Sequence, residues 1–245
     1  MTRVGLSILF ALGMLVGLLL AIPIFFISVG RKARTVHARG VVCAAEVTPL
    51  DDAIGPRLAG PALVRLSGAF EDEDSPAKDV LGLEVRLRKT GDPDRALDVG
   101  DQDVLFGTFE SFATASADKR RVDQHDYLNN QYASVTPWLV PERGIAHLRL
   151  LPPAAADAGR GATRTARLDA DLAAGRATMT LEVRRGDAHT PVARIALVER
   201  LPVDGADLRV SMFRTGRGLV PTGFRNGIRA IVYPASQAGR RLRGG

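Results

Sequence analysis

The chain has few of the residue types on which many protein functions depend. Its 245 residues include one cysteine, four histidines, three tyrosines and one tryptophan, and aromatic residues make up 5% of it. The single Cys43 excludes an internal disulfide, and the histidines do not stand at the spacings of zinc sites. The sequence also lacks a Gly-x-Ser-x-Gly motif, a phosphate-binding loop and a dinucleotide-binding fingerprint. It therefore gives no support to hydrolase, NTPase or Rossmann-type dehydrogenase chemistry.

The charge of the chain is basic but gives no sign of a nucleic-acid partner. The formal net charge is +6 at pH 7. The excess is almost all arginine, scattered among predicted strands, without the interleaved aromatic residues or the motifs of nucleic-acid-binding proteins. We therefore expect no binding to nucleic acid.

A long apolar stretch lies at the N-terminus. From Val4 to Gly30 no residue is charged, and the stretch exceeds the roughly 20 residues needed to cross a bilayer. The apolar regions of signal peptides are shorter, about 7 to 15 residues, and end in a small-x-small cleavage site that is not evident here. Residues 1–30 are therefore predicted to be a retained single-pass transmembrane anchor, with a cleaved signal as the alternative.

The charges beside this stretch bear on its orientation. Arg31, Lys32 and Arg34 follow it, whereas Arg3 and the amino terminus precede it. By the positive-inside rule this difference favours a cytoplasmic location for the globular part. Arg34 also has a second candidate role, described below. If Arg34 is not counted, the difference in positive charge between the two ends of the apolar stretch becomes small. The extracytoplasmic side therefore stays open.

Residues 31–245 show the pattern of a β-rich domain. Strands are predicted over 38–49, 61–70, 83–88, 146–151, 177–183, 192–198 and 207–213, helices over 166–174 and from 224 to about 233, and a brief helical turn over 126–132. The strict alternation of 83–88 is typical of a half-buried strand. Because about eight strands follow one another with few helices and no Gly/Ser-rich linker, we predict one mainly β domain built as an antiparallel barrel.

Two segments at opposite ends of this domain contain residues suited to a metal cofactor. One reads Arg34-Thr-Val-His37-Ala-Arg-Gly40, and the other contains Arg229, Tyr233 and Arg240. Tyrosine binds a metal as the phenolate, whereas a free phenol with a pKa of about 10 is protonated at neutral pH. Arg229 precedes Tyr233 by one turn of a predicted helix, so its guanidinium is placed to favour the ionised phenol.

These segments resemble the motifs of the catalase family. Arg34, His37, Ala38 and Gly40 match the family's Arg-x-x-His-Ala-x-Gly motif, and Arg229, Tyr233 and Arg240 match its Arg-x-x-x-Tyr motif with the arginine that follows. Between them, the segments 64–67, 79–86 and 103–108 resemble three further family segments in the same order. The resemblance extends from about Arg34 to Arg240.

The resemblance implies an eight-stranded antiparallel barrel that binds haem b. Tyr233 would be the iron ligand, with Arg229 beside it. The haem propionates would be bound by a set of three arginines: Arg34, Arg65 and Arg240. His37 would transfer protons at the catalytic face, and Ser67 would fix its tautomer. The implied substrates are hydrogen peroxide or organic hydroperoxides.

The sequence also departs from the family pattern. No asparagine occurs between Asp103 and Ser111, and either Thr108 or Gly107 lies near the place of the family's distal asparagine. Since that amide helps to hold peroxide, the departure favours peroxidase over catalase activity. The chain therefore resembles small catalase-related haem proteins. Two alternatives stay open: a haem-binding or sensing protein with little turnover, and a haem-free, membrane-tethered interaction domain.

Overall fold

The structure is a computed structural model that describes residues 2–30, 37, 39–89, 97–111, 113–153, 161–203, 208 and 210–241. Its strands are β1 Gly40–Pro49, β2 Gly60–Gly68, β3 Leu81–Leu87, β4 Gln102–Gly107, β5 Tyr132–Ala133, β6 Trp138–Val140, β7 Gly144–Leu151, β8 Thr178–Arg185, β9 Ala188–Arg200 and β10 Val220–Pro221. Its helices are α1 Arg3–Gly30, α2 Gly55–Leu58, α3 Ala115–Lys119, α4 Arg164–Ala173 and α5 Phe224–Arg241.

Eight of these strands close into an antiparallel barrel. β1 pairs with β2 on one side and β9 on the other, and the pairing continues through β3, β4, β5, β7 and β8. β6 and β10 form a short arm beside β7. Closure leaves no open edge among the eight strands. The predicted fold class, a mainly β protein with an eight-stranded antiparallel barrel and a few helices, is confirmed.

The barrel interior is filled by the apolar residues that alternate along each strand. Every strand of the closed ring contributes to one buried apolar cluster, with Val64, Leu83, Phe106, Leu148 and Ile195 among its members. Because successive side chains of a strand point to opposite faces, the residues between them point outward. This alternation assigns Arg65 and Ser67 of β2 to the outer face of the barrel.

The outer face is exposed on one side of the barrel and covered on the other. In β7 and β9 buried and accessible residues largely alternate, whereas β2, β3 and β4 are buried along almost their whole length. The prediction of a half-buried strand over 83–88 was therefore wrong. Its charged face is covered, and the arginines on it pair with acidic residues: Arg86 with Asp103 and Arg88 with Asp101.

Asp103 joins the covering layer to the barrel wall. Its buried carboxylate accepts hydrogen bonds from Arg86 Nε at 2.9 Å, from the Ser211 N–H at 2.8 Å and from Arg214. The segment 210–214 is thereby fixed against the outside of β4. The strand predicted over 207–213 was wrong for residues 210–213, because they form a turn that bonds to this carboxylate.

Replacing Asp103 by alanine is expected to destabilise the fold by about 3 to 5 kcal/mol, since the change leaves buried guanidinium groups without their counter-charge. Asp169→Ala is the matched control, because Asp169 also pairs with an arginine, Arg200, but both side chains are largely exposed. Its cost should be roughly 1 kcal/mol or less. Denaturant unfolding of both variants measures the difference, and equal losses would contradict this role of Asp103.

The helices correct two predictions and confirm one. α4 begins after Thr163, whose hydroxyl accepts the Ala166 N–H at 3.2 Å, and ends just before Gly175 with φ 63°. α5 continues through Pro234 to Arg241, so the predicted end near Tyr233 was wrong. Residues 126–132 form bends and a turn rather than the predicted helical turn.

Helix α1 packs along α5 rather than standing apart from the barrel domain. Its segment Val4–Phe26, with a mean hydropathy of 2.7, is long and apolar enough to cross a membrane, a property that signal sequences share. The transmembrane role and the domain boundary at residue 30 stay predictions.

Candidate functional site

A row of small residues crosses five neighbouring strands at one end of the barrel. Gly40 lies opposite Ser67, Ser67 opposite Gly82, Gly82 opposite Gly107, and Gly107 opposite Ala133. Residues that pair across antiparallel strands point to the same face, so the row lies on the outer face with Ser67. Rings can therefore approach the barrel wall along this line, and those of His37 and Phe109 lie on Gly82 and Gly107.

The His37 side chain lies on this row. Its Nδ1 is 3.0 Å from the Ser67 hydroxyl oxygen. A Cβ atom added to Gly82 would lie 2.5 Å from His37 Cε1 and 2.7 Å from Nδ1, so the imidazole occupies the space that any other residue at position 82 would fill. Glycine at position 82 is thus required for this placement of the ring.

The backbone of His37 has an unusual conformation that three neighbours hold in place. Its φ is 60°, in the left-handed region, which costs a non-glycine residue roughly 1 to 3 kcal/mol and is frequent at functional sites. The His37 N–H donates to the Ala69 carbonyl at 2.9 Å, and the His37 carbonyl accepts from Arg65 Nη2 at 2.7 Å. Together with Ser67, these bonds fix both the backbone and the ring.

The Arg65 side chain helps to hold His37 in position. Its fully buried guanidinium also donates to the Ser67 hydroxyl at 3.2 Å and lies 3.6 Å from a carboxylate oxygen of Glu84. Arg65 and Ser67 therefore act on His37 together. Binding of a propionate by Arg65, which the resemblance implies, stays a prediction, since the described contacts are with His37, Ser67 and Glu84.

Thr108 lies beside this group but its hydroxyl is engaged in the barrel wall. The Thr108 hydroxyl accepts the Leu81 N–H at 3.0 Å, and the Thr108 N–H donates to the Leu81 carbonyl at 3.0 Å. The side chain thus joins the end of β4 to the start of β3, next to Gly82. A lone pair committed to the backbone makes Thr108 a poorer orienting group for peroxide than an amide.

Arg229 and Tyr233 lie one turn apart on α5. Arg229 Nη1 is 4.0 Å from the Met212 sulfur, and Tyr233 is half-buried against the apolar cluster. Met212 follows Ser211, which is bonded to Asp103 on the outer face of β4. These contacts place the segment of α5 that carries Arg229 on the outer side of the barrel, near β4.

The other two tyrosines have structural roles. The Tyr132 hydroxyl donates to the Tyr127 carbonyl at 2.9 Å, and Arg164 Nε donates to the Tyr127 hydroxyl at 3.1 Å. Burial raises the pKa of both phenols, and in Tyr127 the nearby Arg164 opposes that rise. Burial therefore disfavours the phenolate that a metal ligand requires at both positions.

The remaining candidates add little to this site. Arg34 lies outside the described residues, and so does the side chain of Arg240. Burial raises the pKa of the Cys43 thiol to about 12, so the thiolate required of a nucleophile is strongly disfavoured. Within the described ranges no group of three or more His, Cys, Asp or Glu side chains is placed to bind a metal ion.

His147 on β7 makes stability dependent on pH. Burial and the nearby Arg184 lower its pKa from the usual 6.5, so the folded state takes up its proton at lower pH than the unfolded state does. Stability is therefore expected to decrease as pH falls below about 6.5, until the folded-state pKa is passed. Denaturant unfolding of His147→Gln at several pH values should show a shallower decrease than the parent, and identical slopes would contradict this assignment.

Sequence reasoning missed Gly82 and Glu84 as parts of the site. Both stood within segments that were recognised, but their position depends on which residues pair across strands, and pairing register is not visible in one segment alone. The one available signal was the glycine within an alternating strand, which often marks a close approach by another group.

Comparison with known proteins supports the fold. No family model matches the sequence, and no curated protein matches it. Among solved structures, the crystal structure of a fungal catalase at 1.9 Å resolution matches with a TM-score of 0.54 and 12% identity. The match covers 85% of this chain and 58% of the catalase chain. At this identity the likeness shows the fold alone: a catalase-like barrel.

Proposed function

We propose that this chain binds haem b and reduces hydrogen peroxide or organic hydroperoxides as a peroxidase attached to a membrane. The observation that carries the proposal is His37, held in a left-handed conformation with its ring on Gly82 and its Nδ1 bonded to Ser67. Unusual backbone conformations that several neighbours enforce are frequent where a side chain must be positioned for chemistry.

The residues present fit a haem. The row from Gly40 to Ala133 consists of small residues on which the rings of His37 and Phe109 lie, and α5 supplies a phenol, Tyr233, whose oxygen is a suitable ligand for ferric iron. Tyr233 is half-buried on the same helix as Arg229, whereas Tyr127 and Tyr132 are committed elsewhere. Tyr233 would bind the iron, with Arg229 one helical turn away.

Haem would supply the iron at which the peroxide oxygen–oxygen bond is cleaved. His37 would accept a proton from one peroxide oxygen and donate it to the other, so that water or an alcohol leaves. The bond between Nδ1 and Ser67 leaves this task to Nε2. Two electrons from an external donor and two protons complete the reduction of a hydroperoxide to an alcohol and water.

Thr108 favours peroxidase activity over the dismutation of peroxide. Dismutation requires a second peroxide molecule to be oriented at the same face, where Thr108 offers at most its single O–H donor while its oxygen accepts the Leu81 N–H. The same observation supports a second candidate, a catalase-like haem-binding or sensing protein with little turnover.

Two assays at equal peroxide concentration separate these functions. With a phenolic electron donor, the haem-loaded protein is expected to oxidise the donor while releasing little oxygen. Vigorous oxygen release with negligible donor oxidation would contradict the inferred role of Thr108. Absence of both activities in a haem-loaded protein would favour the binding or sensing function.

We assign attachment to the membrane to the apolar helix α1. For an α1 that spans the bilayer, the basic residues that follow it in sequence favour a cytoplasmic over an extracytoplasmic barrel domain. No partner other than lipid and a peroxide substrate is implied by the described residues.

A further inference from the structure

The backbones of α1 and α5 are in direct contact. A side chain at Gly13 would overlap the Phe224 carbonyl oxygen, and one at Gly227 would overlap the Phe10 carbonyl oxygen. Further along α1, a Cβ atom at Gly17 would lie 2.9 Å from the Ile228 carbonyl oxygen. Glycine at these positions permits close helix packing. Because later residues of α1 meet later residues of α5, the two helices run parallel.

The first half of α1 is also fixed to the barrel domain. Leu6 is 4% exposed. A Cβ atom added to Gly223, the residue before α5, would lie 3.4 Å from Leu6 Cδ2. The Phe10 ring meets the Phe213 ring edge to face, with centroids 6.5 Å apart. Phe213 belongs to the turn that is bonded to Asp103. Helix α1 thus packs on α5 and on the layer that covers the barrel wall.

This packing argues against a helix that crosses a bilayer. Gly13 and Gly17 lie near the middle of the apolar segment Val4–Phe26. If α1 crossed the bilayer, the residues that pack around these two glycines would therefore lie at the bilayer centre. Those neighbours include Asn226, which donates to the Pro137 and Thr222 carbonyls. The helical turn that follows carries Arg229. A charged side chain and non-helical backbone are both strongly disfavoured in hydrocarbon.

The opposite face of α1 is apolar and accessible over Val4–Phe26. It presents seven large side chains at intervals of three or four residues: Val4, Ile8, Leu12, Leu15, Leu19, Ile22 and Phe26, each between 47% and 77% exposed. Such spacing forms one continuous helical stripe. A stripe of this extent exceeds the isolated apolar patches of ordinary soluble proteins. In the sequence the helix is flanked by Arg3 at one end and by Arg31 and Lys32 at the other.

We propose that α1 remains docked on α5 and attaches the protein to one leaflet of an anionic bilayer through this stripe, without crossing it. The apolar stripe would enter the headgroup and acyl boundary, and the basic residues adjacent to α1 in the sequence favour an anionic surface. The barrel domain and the amino terminus then lie on the same side of the membrane. The inference does not depend on haem binding.

Single-cysteine labelling of the full chain tests the arrangement. Thr2→Cys reports the amino terminus and Val99→Cys, at a residue 95% exposed, reports the barrel domain. The buried Cys43, with its pKa raised to about 12, should not react, and a Cys43→Ala background verifies this. In sealed membrane vesicles from expressing cells, a membrane-impermeant maleimide should label both probes to the same extent. Labelling of the two from opposite sides, or a chain that does not sediment with membranes, would overturn the proposal.

A second measurement tests the lipid-facing stripe. The double variant Leu15→Glu and Leu19→Glu should no longer float with vesicles of neutral and anionic phospholipid, while its thermal unfolding stays close to that of the parent, because both side chains are exposed. Unchanged flotation would overturn the assigned face. A large loss of thermal stability would show that the stripe is packed against protein, which would overturn it as well.

Discussion

Replacing Tyr233 by phenylalanine is expected to abolish tight haem binding, or to produce a haem complex with a different axial ligand and a changed absorption spectrum. The change removes a single oxygen atom and keeps the ring that packs against the apolar cluster. The fold should therefore be kept while the proposed iron ligand is lost. Since an axial ligand largely determines the electronic properties of haem iron, the spectrum is a direct readout.

Tyr127→Phe is the matched control for this experiment. Tyr127 also has an arginine at its hydroxyl, Arg164 at 3.1 Å, but burial raises the pKa of its phenol. The control should bind haem with the spectrum of the parent. Arg229→Leu should bind haem more weakly, since it removes a positive charge one helical turn from the proposed tyrosinate ligand. A parent-like spectrum in Tyr233→Phe would contradict the assignment of the ligand.

Replacing His37 by alanine is expected to lower the rate of peroxide cleavage by about 10² to 10⁴, the usual contribution of a positioned general acid–base group. Haem affinity should change much less, because His37 is assigned to proton transfer rather than to iron ligation. Stopped-flow mixing with peroxide measures the rate, and a haem titration measures the affinity. A variant that reacts as fast as the parent would show that His37 is structural.

Two further variants test whether the contacts that position the His37 ring affect the rate of peroxide cleavage. Ser67→Ala removes the bond to Nδ1, and Gly82→Ala places a methyl group where the imidazole now lies. Both keep the histidine, so each should lower the peroxide rate less than His37→Ala does and should shift the pH profile of that rate. An unchanged profile in both would show that the contacts of the ring do not control its proton transfer.

The sequence was sufficient to predict the barrel but not what covers it. Apolar runs bounded by glycine and proline correctly placed β1 and β2. Alternating apolar residues correctly placed β7, β8 and β9, since this alternation reflects the interior of the barrel directly. The outer face of β3 was judged solvent-exposed because its residues are charged. Its burial depends on Asp103, Ser211 and Arg214, which come together only after the chain has folded.

The sequence likewise predicted some features of the candidate site and not others. His37 and Ser67 were named from their motifs, and the structure places them in contact. The contribution of Gly82 depends on strand register, which one sequence does not reveal. For helix α1, hydropathy shows that the residues are apolar, but it does not predict that one face of the helix packs against α5.

A haem titration of the purified full chain, followed by absorption spectroscopy, tests the central claim most directly. The account predicts a one-to-one complex whose spectrum is that of a tyrosinate-ligated ferric haem, and predicts that Tyr233→Phe loses this spectrum while Tyr127→Phe keeps it. Failure of the folded parent to bind haem, or a spectrum that is the same in the parent and in Tyr233→Phe, would contradict it.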